Sequence, residues 1–268
     1  MNDVFGYIAY GENELYHRGA LLSALKLLHH CPTARIVVAT DRTDLFRAYP
    51  VETMLITAEQ KDQWSFGGSY HFGIKAGAMR ELLQRADRLL FMDTDMYPVG
   101  DPSKGFRSIS ATHSSMRLCE GPHRIYQNAL PGKNISVGGQ VLTGQEPMWN
   151  SGIVGIHRHN LTAMVDAFAA IKAVHEVTDT WAPEQFCLGV ALSQNGRTIS
   201  PHSLPIRHYN TRGKKQFAEP RVHAFFNTYG MAPVGQQVAK ASRYRLWRTP
   251  ADLLLQKLKR SLRRGGCA

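Results

Sequence analysis

The chain has 268 residues, of which 43% are apolar, so it can bury the core of one large globular domain or of two small ones. Its four cysteines are widely separated, which implies neither a zinc site nor a disulfide framework and fits a reducing cytoplasm. The net charge of +11 does not indicate nucleic-acid binding, because residues 240–268 hold nine Lys or Arg against one Asp and leave only +3 for residues 1–239.

Strand and helix patterns alternate over the first hundred residues. Residues 3–10 predict a strand, and residues 14–30 predict a helix with apolar side chains at helical spacing. Further strands are predicted over 34–40, 51–57 and from Arg88 onward, with helices over 44–49 and 69–85. This β-α-β rhythm predicts an α/β fold with a mostly parallel sheet and right-handed connections.

The pattern is weaker in the second half of the chain. Residues 100–144 predict loops and short strands, and residues 149–156 predict a polar turn that enters a strand. Helices are predicted over 161–174 and over 184–192, the second of them started by Pro183, and only short segments follow Gly196. We therefore predict one catalytic domain over residues 1–238 and a C-terminal tail over residues 239–268.

The most informative segment is Asp93-Thr94-Asp95, which follows the apolar run Leu89-Leu90-Phe91-Met92. In an extended chain residues i and i+2 point to the same side, so the two carboxylates can converge on a divalent cation that also takes phosphate oxygens. The alternative is that one aspartate caps the next turn and the other is solvated. The apolar run before the pair and the Tyr-Pro-Val turn after it favour the metal site.

The tail predicts a basic amphipathic helix that begins at Thr249. One face carries Leu254, Leu255, Leu258 and Leu262, and the remainder carries Lys257, Lys259, Arg260, Arg263 and Arg264. Such a helix suits an anionic membrane surface, whereas the alternative is that the leucines pack on the catalytic domain. No apolar run approaches the ~20 residues that cross a bilayer and no signal segment is recognisable, so we expect a cytoplasmic protein peripheral to the inner face of the membrane.

The order of these segments, with Trp-Asn-Ser-Gly-Ile-Val and Pro-Glu-Gln-Phe after the acidic strand, resembles the GT-A glycosyltransferases over about residues 3–230. It is most similar to those related to the family 8 bacterial galactosyl- and glucosyltransferases. The resemblance implies a Rossmann-like GT-A nucleotide-diphospho-sugar transferase fold. It also implies metal-dependent transfer of a sugar from a nucleoside diphosphate-sugar, such as a UDP-sugar, to a hydroxyl of a glycan or glycolipid acceptor.

The resemblance implies roles for residues near the donor. Asp93 and Asp95 of the Asp93-Thr94-Asp95 motif match the acidic pair that holds Mn²⁺ or Mg²⁺ against the diphosphate. Ala9, Tyr10 and Gly11 match the segment that cradles the nucleoside, and Lys75 matches a basic residue near the donor. A half-buried strand tyrosine and a solvated helix lysine are the alternatives for Tyr10 and Lys75.

Further matches lie later in the chain. Asn150, Ser151 and Gly152 match a turn that approaches the donor sugar, where small residues allow close contact. Glu184 and Gln185 match a polar pair near the reacting carbon, although an acid in the first turn of a helix is an alternative reason for Glu184.

The family often completes its metal site with a histidine, for which His208 and His223 are the candidates. Chain order assigns His208 to an earlier family strand and leaves His223 as the ligand, or as a core residue of an apolar strand. The glycine and Lys-Pro-Trp sequence expected after it is absent. The basic segment 212–215 is a further candidate for a phosphate contact, with an exposed turn as the alternative.

Two other enzyme classes remain as alternatives. A sugar-nucleotide-forming nucleotidyltransferase shares the fold but should have a Gly-rich basic loop after the first strand, where this chain has the acidic sequence Gly11-Glu12-Asn13-Glu14. A haloacid dehalogenase-like phosphatase should have Thr or Val two residues after the second aspartate, where this chain has Tyr97.

Overall fold

The structure is a computed structural model that describes residues 1–254. Its strands are β1 (Asp3–Ala9), β2 (Ile36–Thr40), β3 (Glu52–Leu55), β4 (Arg88–Met92), β5 (Met96–Pro98), β6 (His113–Gly121), β7 (Ser136–Val137), β8 (Gln140–Val141), β9 (Met148–His157), β10 (Thr198–Pro201) and β11 (Ile206–His208). Its helices are α1 (Glu14–His30), α2 (Ala58–Trp64), α3 (Phe72–Gln84), α4 (Arg124–Ala129), α5 (Leu161–Thr178), α6 (Pro183–Leu192), α7 (Arg212–Tyr229) and α8 (Val234–Arg243).

Seven strands form the central sheet, in the order β10-β6-β9-β4-β1-β2-β3. The strands β3, β2, β1 and β4 pair in parallel with one another, whereas β9 is antiparallel to both β4 and β6. The sheet is therefore mostly parallel, as the β-α-β rhythm predicts. Its middle strand β4 leads directly into the acidic motif.

Both faces of the sheet are covered, which explains why the predicted strands are almost continuously apolar. In β4, Leu89 and Phe91 belong to the core that packs with α3, α5 and α6. The alternate residues Leu90 and Met92 belong to the opposite core, which packs with α1. Because successive side chains of a strand point to opposite faces of the sheet, this one segment contributes to both cores.

Three segments differ from the sequence prediction. Residues 113–121, which lie in the region expected as loops and short strands, form the nine-residue strand β6 inside the sheet, and β9 runs through the polar segment expected as a turn. Residues 212–229 form the helix α7, in which Ala218, Val222 and Phe225 pack in a core shared with α1. Tertiary packing outweighs the weak local preference of a helix that contains Gly213 and Pro220.

The start of the predicted tail is packed on the body. The boundary after residue 238 falls inside α8, and Lys26 Nζ of α1 donates to Ala241 O at 2.6 Å and to Tyr244 O at 2.7 Å. Trp247 stacks on Tyr97, and Thr249 and Asp252 cap the predicted helix start through reciprocal hydrogen bonds. Leu255, Leu258, Leu262 and the five cations after residue 254 lie outside the described residues. Within residues 1–254, no helix has both the length and the apolar character needed to cross a membrane.

Candidate active site

The acidic motif forms a tight turn at the carboxyl edge of the sheet. The strand β4 ends at Met92, and Met96 N donates to Asp93 O at 3.0 Å, which closes the turn before β5. The strand therefore does not continue through the two carboxylates as the extended geometry assumed. Both Asp93 and Asp95 nevertheless border one cavity of about 860 Å³, where open α/β sheets bind ligands.

The buried Lys75 joins Asp93 to two other predicted site residues, Ser151 and Glu184. Lys75 Nζ lies 2.9 Å from Asp93 Oδ1 and donates to Ser151 O at 3.1 Å and to Ser151 Oγ at 3.0 Å. Ser151 Oγ in turn donates to Glu184 Oε2 at 2.9 Å, and Glu184 Oε1 lies 3.8 Å from Lys75 Nζ. The structure thus brings together residues from α3, β4, β9 and α6. Lys75 is not a solvated helix lysine, since its side chain is only 10% exposed.

The charges in this network are unequal. Burial raises the pKa of Glu184 above its ordinary value, Lys75 opposes this shift, and the charge on Asp93 adds to it. Burial also raises the pKa of Asp93, against the attraction of Lys75 and with the repulsion of Asp95. One buried cation therefore balances two carboxylates, and further positive charge is favourable at this position.

Asp95 faces a different set of partners. Its Oδ1 lies 2.9 Å from His208 Nε2, and its Oδ2 lies 3.9 Å from Lys215 Nζ. Burial opposes ionisation of Asp95, but His208 and then Lys215 and Lys75 hold the pKa of this carboxyl below its ordinary value. Asp95 is therefore ionised over the physiological pH range.

The structure brings His208, and not His223, to the acidic pair. The strand β11 pairs antiparallel with β5, which places His208 opposite Met96 and next to Asp95. His223 lies on helix α7, where its Nδ1 is 3.4 Å from Arg18 Nη1, and it is not part of an apolar strand. Chain order could not include the pairing of β11 with β5 that brings His208 to Asp95, and the identity of the third metal ligand stays a prediction. We therefore move the candidate third metal ligand from His223 to His208.

Tyr10 and Gly11 border the same cavity, whereas the buried Ala9 does not line it, and the segment is held by residues that sequence reasoning missed. Gly11 N donates to Asp41 Oδ2 at 3.0 Å, and Gly11 has a φ of 87°, a left-handed conformation that favours glycine. Asp41 follows β2 and pairs with Lys61 Nζ at 2.8 Å. Tyr10 Oη donates to His71 O at 2.9 Å, which fixes the ring at the cavity wall. Gly11 and Asp41 come together because each follows the carboxyl end of one of two adjacent parallel strands, β1 and β2.

A bulge in β9 positions the two small residues Ser151 and Gly152. Met116 pairs with Val154 but Leu118 pairs with Asn150, so residues 151–153 of β9 face a single residue of β6. The bulge directs Ser151 toward Lys75, and Gly152 O accepts from Asp93 N at 2.9 Å. A Cβ on Gly152 would lie 2.6 Å from the side chain of Met96 and 3.3 Å from Asp93 Oδ2. Gly152 therefore permits close packing against Met96 and Asp93, whereas its predicted approach to a donor sugar stays a prediction.

Glu120 links the remaining two predicted site residues, and no sequence pattern pointed to it. Its Oε1 accepts from Asn150 Nδ2 at 2.9 Å, and its Oε2 accepts from Gln185 Nε2 at 3.2 Å. Asn150 Oδ1 also accepts from Gly152 N at 3.1 Å. Glu120 and Asn150 come together only because β6 and β9 are neighbours, a pairing that required the unpredicted strand β6.

The acidic pair offers a partial ligand set for a hard divalent cation. Asp95 Oδ1 is buried and accepts no hydrogen bond of good geometry, although it is in contact with His208. Within residues 1–254, no three Asp, Glu, His or Cys side chains are arranged as a complete metal site. Carboxylates and imidazole are nevertheless ligand types that suit a divalent cation whose other coordination positions are filled by phosphate oxygens.

The sequence matches no protein-family model, and no curated protein matches it. The structure is similar to that of the galactosyltransferase LgtC in complex with donor and acceptor sugar analogues. The TM-score is 0.54 over 88% of this chain and 95% of that chain, at 11% sequence identity. An active-site mutant of LgtC with Glu in place of Gln also gives 0.54, over 84% and 95% of the two chains, at 12% identity. The chain thus has the Rossmann-like GT-A fold of LgtC, which confirms the predicted fold class.

Proposed function

We propose that this protein is a hexosyltransferase that moves a sugar from a nucleoside diphosphate-sugar to a hydroxyl of an acceptor, as the resemblance to family 8 GT-A enzymes implies. The observation that carries this proposal is the position of the charged network. Asp93, Lys75 and Asp95 lie at the floor of a large cavity, at the carboxyl edge of the sheet of a GT-A fold. Side chains of both signs at that edge suit an anionic, hydroxyl-rich ligand.

The cavity of about 860 Å³ has separate regions that suit the parts of a nucleotide-sugar such as a UDP-sugar. Tyr10 and Phe72 present aromatic rings to the cavity, and an aromatic face can pack on a nucleobase. Lys61 and Lys215 also border the cavity, and their ammonium groups suit diphosphate oxygens. Lys215 lies in the basic segment 212–215 that the sequence suggested for phosphate contacts.

Asp93, Asp95 and His208 are the residues that would hold Mn²⁺ or Mg²⁺ in this proposal. When bound, such a cation supplies Lewis-acid stabilisation of the negative charge on the departing diphosphate. The chain itself orients the two carboxylates through the 93–96 turn and through the contact of His208 with Asp95. His208 is fixed by the pairing of β11 with β5.

The other predicted site residues divide into two groups. Glu184 is buried and bonded to Ser151, so we assign it as a positioning residue that holds Lys75 rather than as a group that contacts the substrate. Asn150 and Gln185 are joined through Glu120, and their amide groups suit hydroxyls of the donor sugar or the acceptor. Glu120 is exposed, which makes it a candidate for accepting the proton of the acceptor hydroxyl.

We further propose a glycan or lipid-linked acceptor at an anionic membrane, with the protein cytoplasmic and peripheral on the inner face of the cell membrane. The charge of the tail supports this proposal, and so do Leu253 and Leu254, which are 47% and 61% exposed at the end of the described part of the tail. Exposed leucines beside clustered cations favour the interface of an anionic membrane.

Incubation with a panel of sugar nucleotides and Mn²⁺, with detection of the released nucleoside diphosphate, tests the proposed function. We expect at least one donor to be hydrolysed, and substitution of Asp93 or Asp95 by Asn to reduce the rate more than 100-fold. The control Asp44→Asn makes the same change at an exposed carboxylate outside the cavity and should retain the rate.

The same reactions separate the two alternatives. A nucleotidyltransferase would release pyrophosphate from a nucleoside triphosphate and a sugar phosphate, although the acidic loop after β1, with Asn13 as cap of α1, does not favour it. A phosphatase would release inorganic phosphate from p-nitrophenyl phosphate. Either result without donor hydrolysis would contradict the proposed transfer.

A further inference from the structure

A second, smaller cavity of about 240 Å³ lies next to the acidic pair and is strongly basic. Its polar lining comes from Arg117, His202, His208 and Lys214, and its apolar lining comes from Met96 and neighbouring residues. Within residues 1–254, no Asp or Glu side chain borders it. His208 belongs to this cavity, whereas its partner Asp95 belongs to the donor cavity, so the contact between the two side chains lies at the wall between the cavities.

Arg117 and Lys214, the two long cations of this cavity, have no acidic partner in the part of the chain that the structure describes. Among the residues that the structure describes, no carboxylate lies within ion-pair distance of Arg117 or Lys214, although both side chains reach the cavity. Lys214 Nζ donates only weakly, to His208 O at 3.4 Å. Cations that converge without a counterion create a positive potential that favours an anionic ligand.

His202 adds a hydrogen-bond donor to the same cavity. Its Nδ1 accepts from Leu204 N at 3.1 Å, so the proton of the neutral ring is on Nε2. Burial, and then the charge of Arg117, lower the pKa of His202. An anion in the cavity would offset the repulsion between the charge of Arg117 and a protonated His202 ring.

The backbone fixes these groups on two neighbouring strands. Arg117 lies in β6 opposite the bulge of β9, and His202 follows β10, which pairs in parallel with β6. His202 N donates to Met116 O at 2.9 Å, which sets His202 beside Arg117. The basic cavity is therefore built on the sheet and not on loose surface side chains.

We propose that this cavity binds an anionic group of the acceptor, with phosphate as its chemical class. The inference rests on the proposed glycosyltransferase function and adds the class of acceptor to it. An anion at Arg117 holds the acceptor on the far side of the Asp95–His208 pair, opposite the donor cavity. The acceptor hydroxyl then approaches the transferred sugar at the boundary between the two cavities.

A further cavity beside the basic one indicates where the apolar part of such an acceptor would lie. A third cavity of about 500 Å³ shares His208 and Lys214 with the basic cavity and is lined by Phe217, Trp247 and Leu253. A phosphate in the basic cavity therefore has aromatic and aliphatic side chains beside it. This arrangement fits a phosphate that links a glycan to a lipid better than the phosphate of a free sugar.

The test compares the wild type with Arg117→Gln, the conservative variant Arg117→Lys and the control Arg107→Gln. Arg107 is an exposed cation outside all three cavities. Each variant is assayed for donor hydrolysis without acceptor, and for transfer to a glycosyl phosphate and to the same glycan without phosphate. A lipid-linked glycosyl phosphate is a further arm of the assay. Binding of inorganic phosphate alone is followed by amide chemical shifts.

We expect the phosphorylated acceptor to be preferred, and Arg117→Gln to raise its KM about 10- to 100-fold, with kcat and donor hydrolysis within twofold of the wild type. Arg117→Lys should recover most of the loss, and Arg107→Gln should show none. A lower KM for the lipid-linked acceptor than for the soluble phosphate identifies the lipid as the source. Inorganic phosphate should shift the amides near Arg117 and His202 in the wild type but not in Arg117→Gln.

Equal KM values for phosphorylated and unphosphorylated acceptors, or the same KM in Arg117→Gln as in the wild type, would overturn the anionic acceptor site. A different result, the absence of donor hydrolysis by the wild type, would contradict the proposed function. In that event the amide shifts with inorganic phosphate still decide whether the cavity binds anions.

Discussion

Lys75 is the residue on which the charge balance of the candidate active site depends. Its ammonium contacts Asp93, Ser151 and Glu184, and each of these comes from a different element. Removing one partner of a buried ion pair leaves the other charge uncompensated, which costs about 3–5 kcal/mol. The same loss would displace Asp93 from the position in which it faces the cavity.

We therefore expect Lys75→Met to lower the free energy of unfolding by several kcal/mol and to abolish donor hydrolysis. The matched variant Glu184→Gln removes a buried negative charge but keeps an oxygen that can accept from Ser151, so its stability should change by less than about 1 kcal/mol. Urea denaturation and release of nucleoside diphosphate measure the two effects. A Lys75→Met protein as stable and active as the wild type would show that the network has no role in either.

Lys26 lies away from the site, and its burial leads to a prediction about how the free energy of unfolding depends on pH. Burial lowers the pKa of Lys26 from its ordinary 10.5 to about 8, while its ammonium donates to Ala241 O and Tyr244 O. Between these pH values the unfolded state binds the proton and the folded state does not, so this residue raises the free energy of unfolding as pH increases. The full contribution between pH 8 and 10.5 is on the order of 3 kcal/mol.

Lys26→Met removes this titration, and we expect the difference in unfolding free energy between wild type and variant to shift in favour of the wild type as pH rises from 7 to 10. Urea denaturation at several pH values measures it. Taking the difference between the two proteins removes the contribution of the buried tyrosines. Their raised pKa values lower the free energy of unfolding at high pH equally in both proteins. A difference that does not depend on pH would mean that Lys26 keeps an ordinary pKa.

At the scale of elements, helix α1 supports the acidic turn through a glycine. A Cβ at Gly19 would lie 2.5 Å from the backbone oxygen of Thr94 and 3.5 Å from Tyr209 Oη. Backbone cannot move aside as a flexible side chain can, so the helix and the turn would have to separate. The position of the acidic pair is therefore set by the packing of α1 as well as by the strand before it.

Gly19→Ala should lower the free energy of unfolding by about 1–3 kcal/mol and reduce donor hydrolysis, because the turn at Thr94 moves. The control is Gly235→Ala in α8, where a Cβ meets nothing within 4 Å and alanine should stabilise the helix by up to about 1 kcal/mol. Thermal unfolding and the donor assay compare the two. Equal effects of the two substitutions would contradict a specific contact between α1 and the turn.

The elements also show what the sequence could predict. The helix α1 and the helix α6 were predicted from periodicity and from Pro183, because local signals and burial agree there. The strand β6 and the helix α7 were missed, since their polar positions are explained only by neighbours that are distant in sequence. The motif residues Asp93 and Lys75 were recognised from their pattern and the family resemblance.

The partners of those motif residues could not be recognised in the same way. His208 reaches Asp95 through the pairing of β11 with β5, and Glu120 reaches Asn150 through the pairing of β6 with β9. Asp41 reaches Gly11 across two parallel strands. These contacts follow from strand order, which a single sequence does not specify.

For the molecule as a whole, the uneven distribution of charge is the feature that bears on location. Residues 240–268 carry +8 of the net charge of +11. The described part of this stretch packs on α1 up to Trp247, so its anchorage to the body comes before the predicted amphipathic helix. The five cations between residues 257 and 264 follow the packed segment in the sequence, so substituting them tests membrane attachment without changing any residue of that segment.

We predict that replacing all five by Gln weakens binding to vesicles that contain anionic phospholipid by about 10³-fold, since each basic residue contributes about 1 kcal/mol near such a surface. The substituted residues are Lys257, Lys259, Arg260, Arg263 and Arg264. The control replaces five exposed cations of the body by Gln, namely Lys104, Arg107, Arg124, Lys133 and Lys172. Cosedimentation with vesicles at several NaCl concentrations measures binding, which should weaken as salt increases.

A pair of leucine substitutions distinguishes the membrane from the packing alternative. If the apolar face enters the membrane interface, Leu258→Ser with Leu262→Ser weakens vesicle binding and leaves the thermal unfolding temperature unchanged, because these side chains are not part of the core. If the face packs on the catalytic domain, the same protein unfolds at a lower temperature and binds vesicles as the wild type does. Equal vesicle binding by the body control and by the tail variant would reject the tail as the membrane contact, because net charge alone would then account for the attraction.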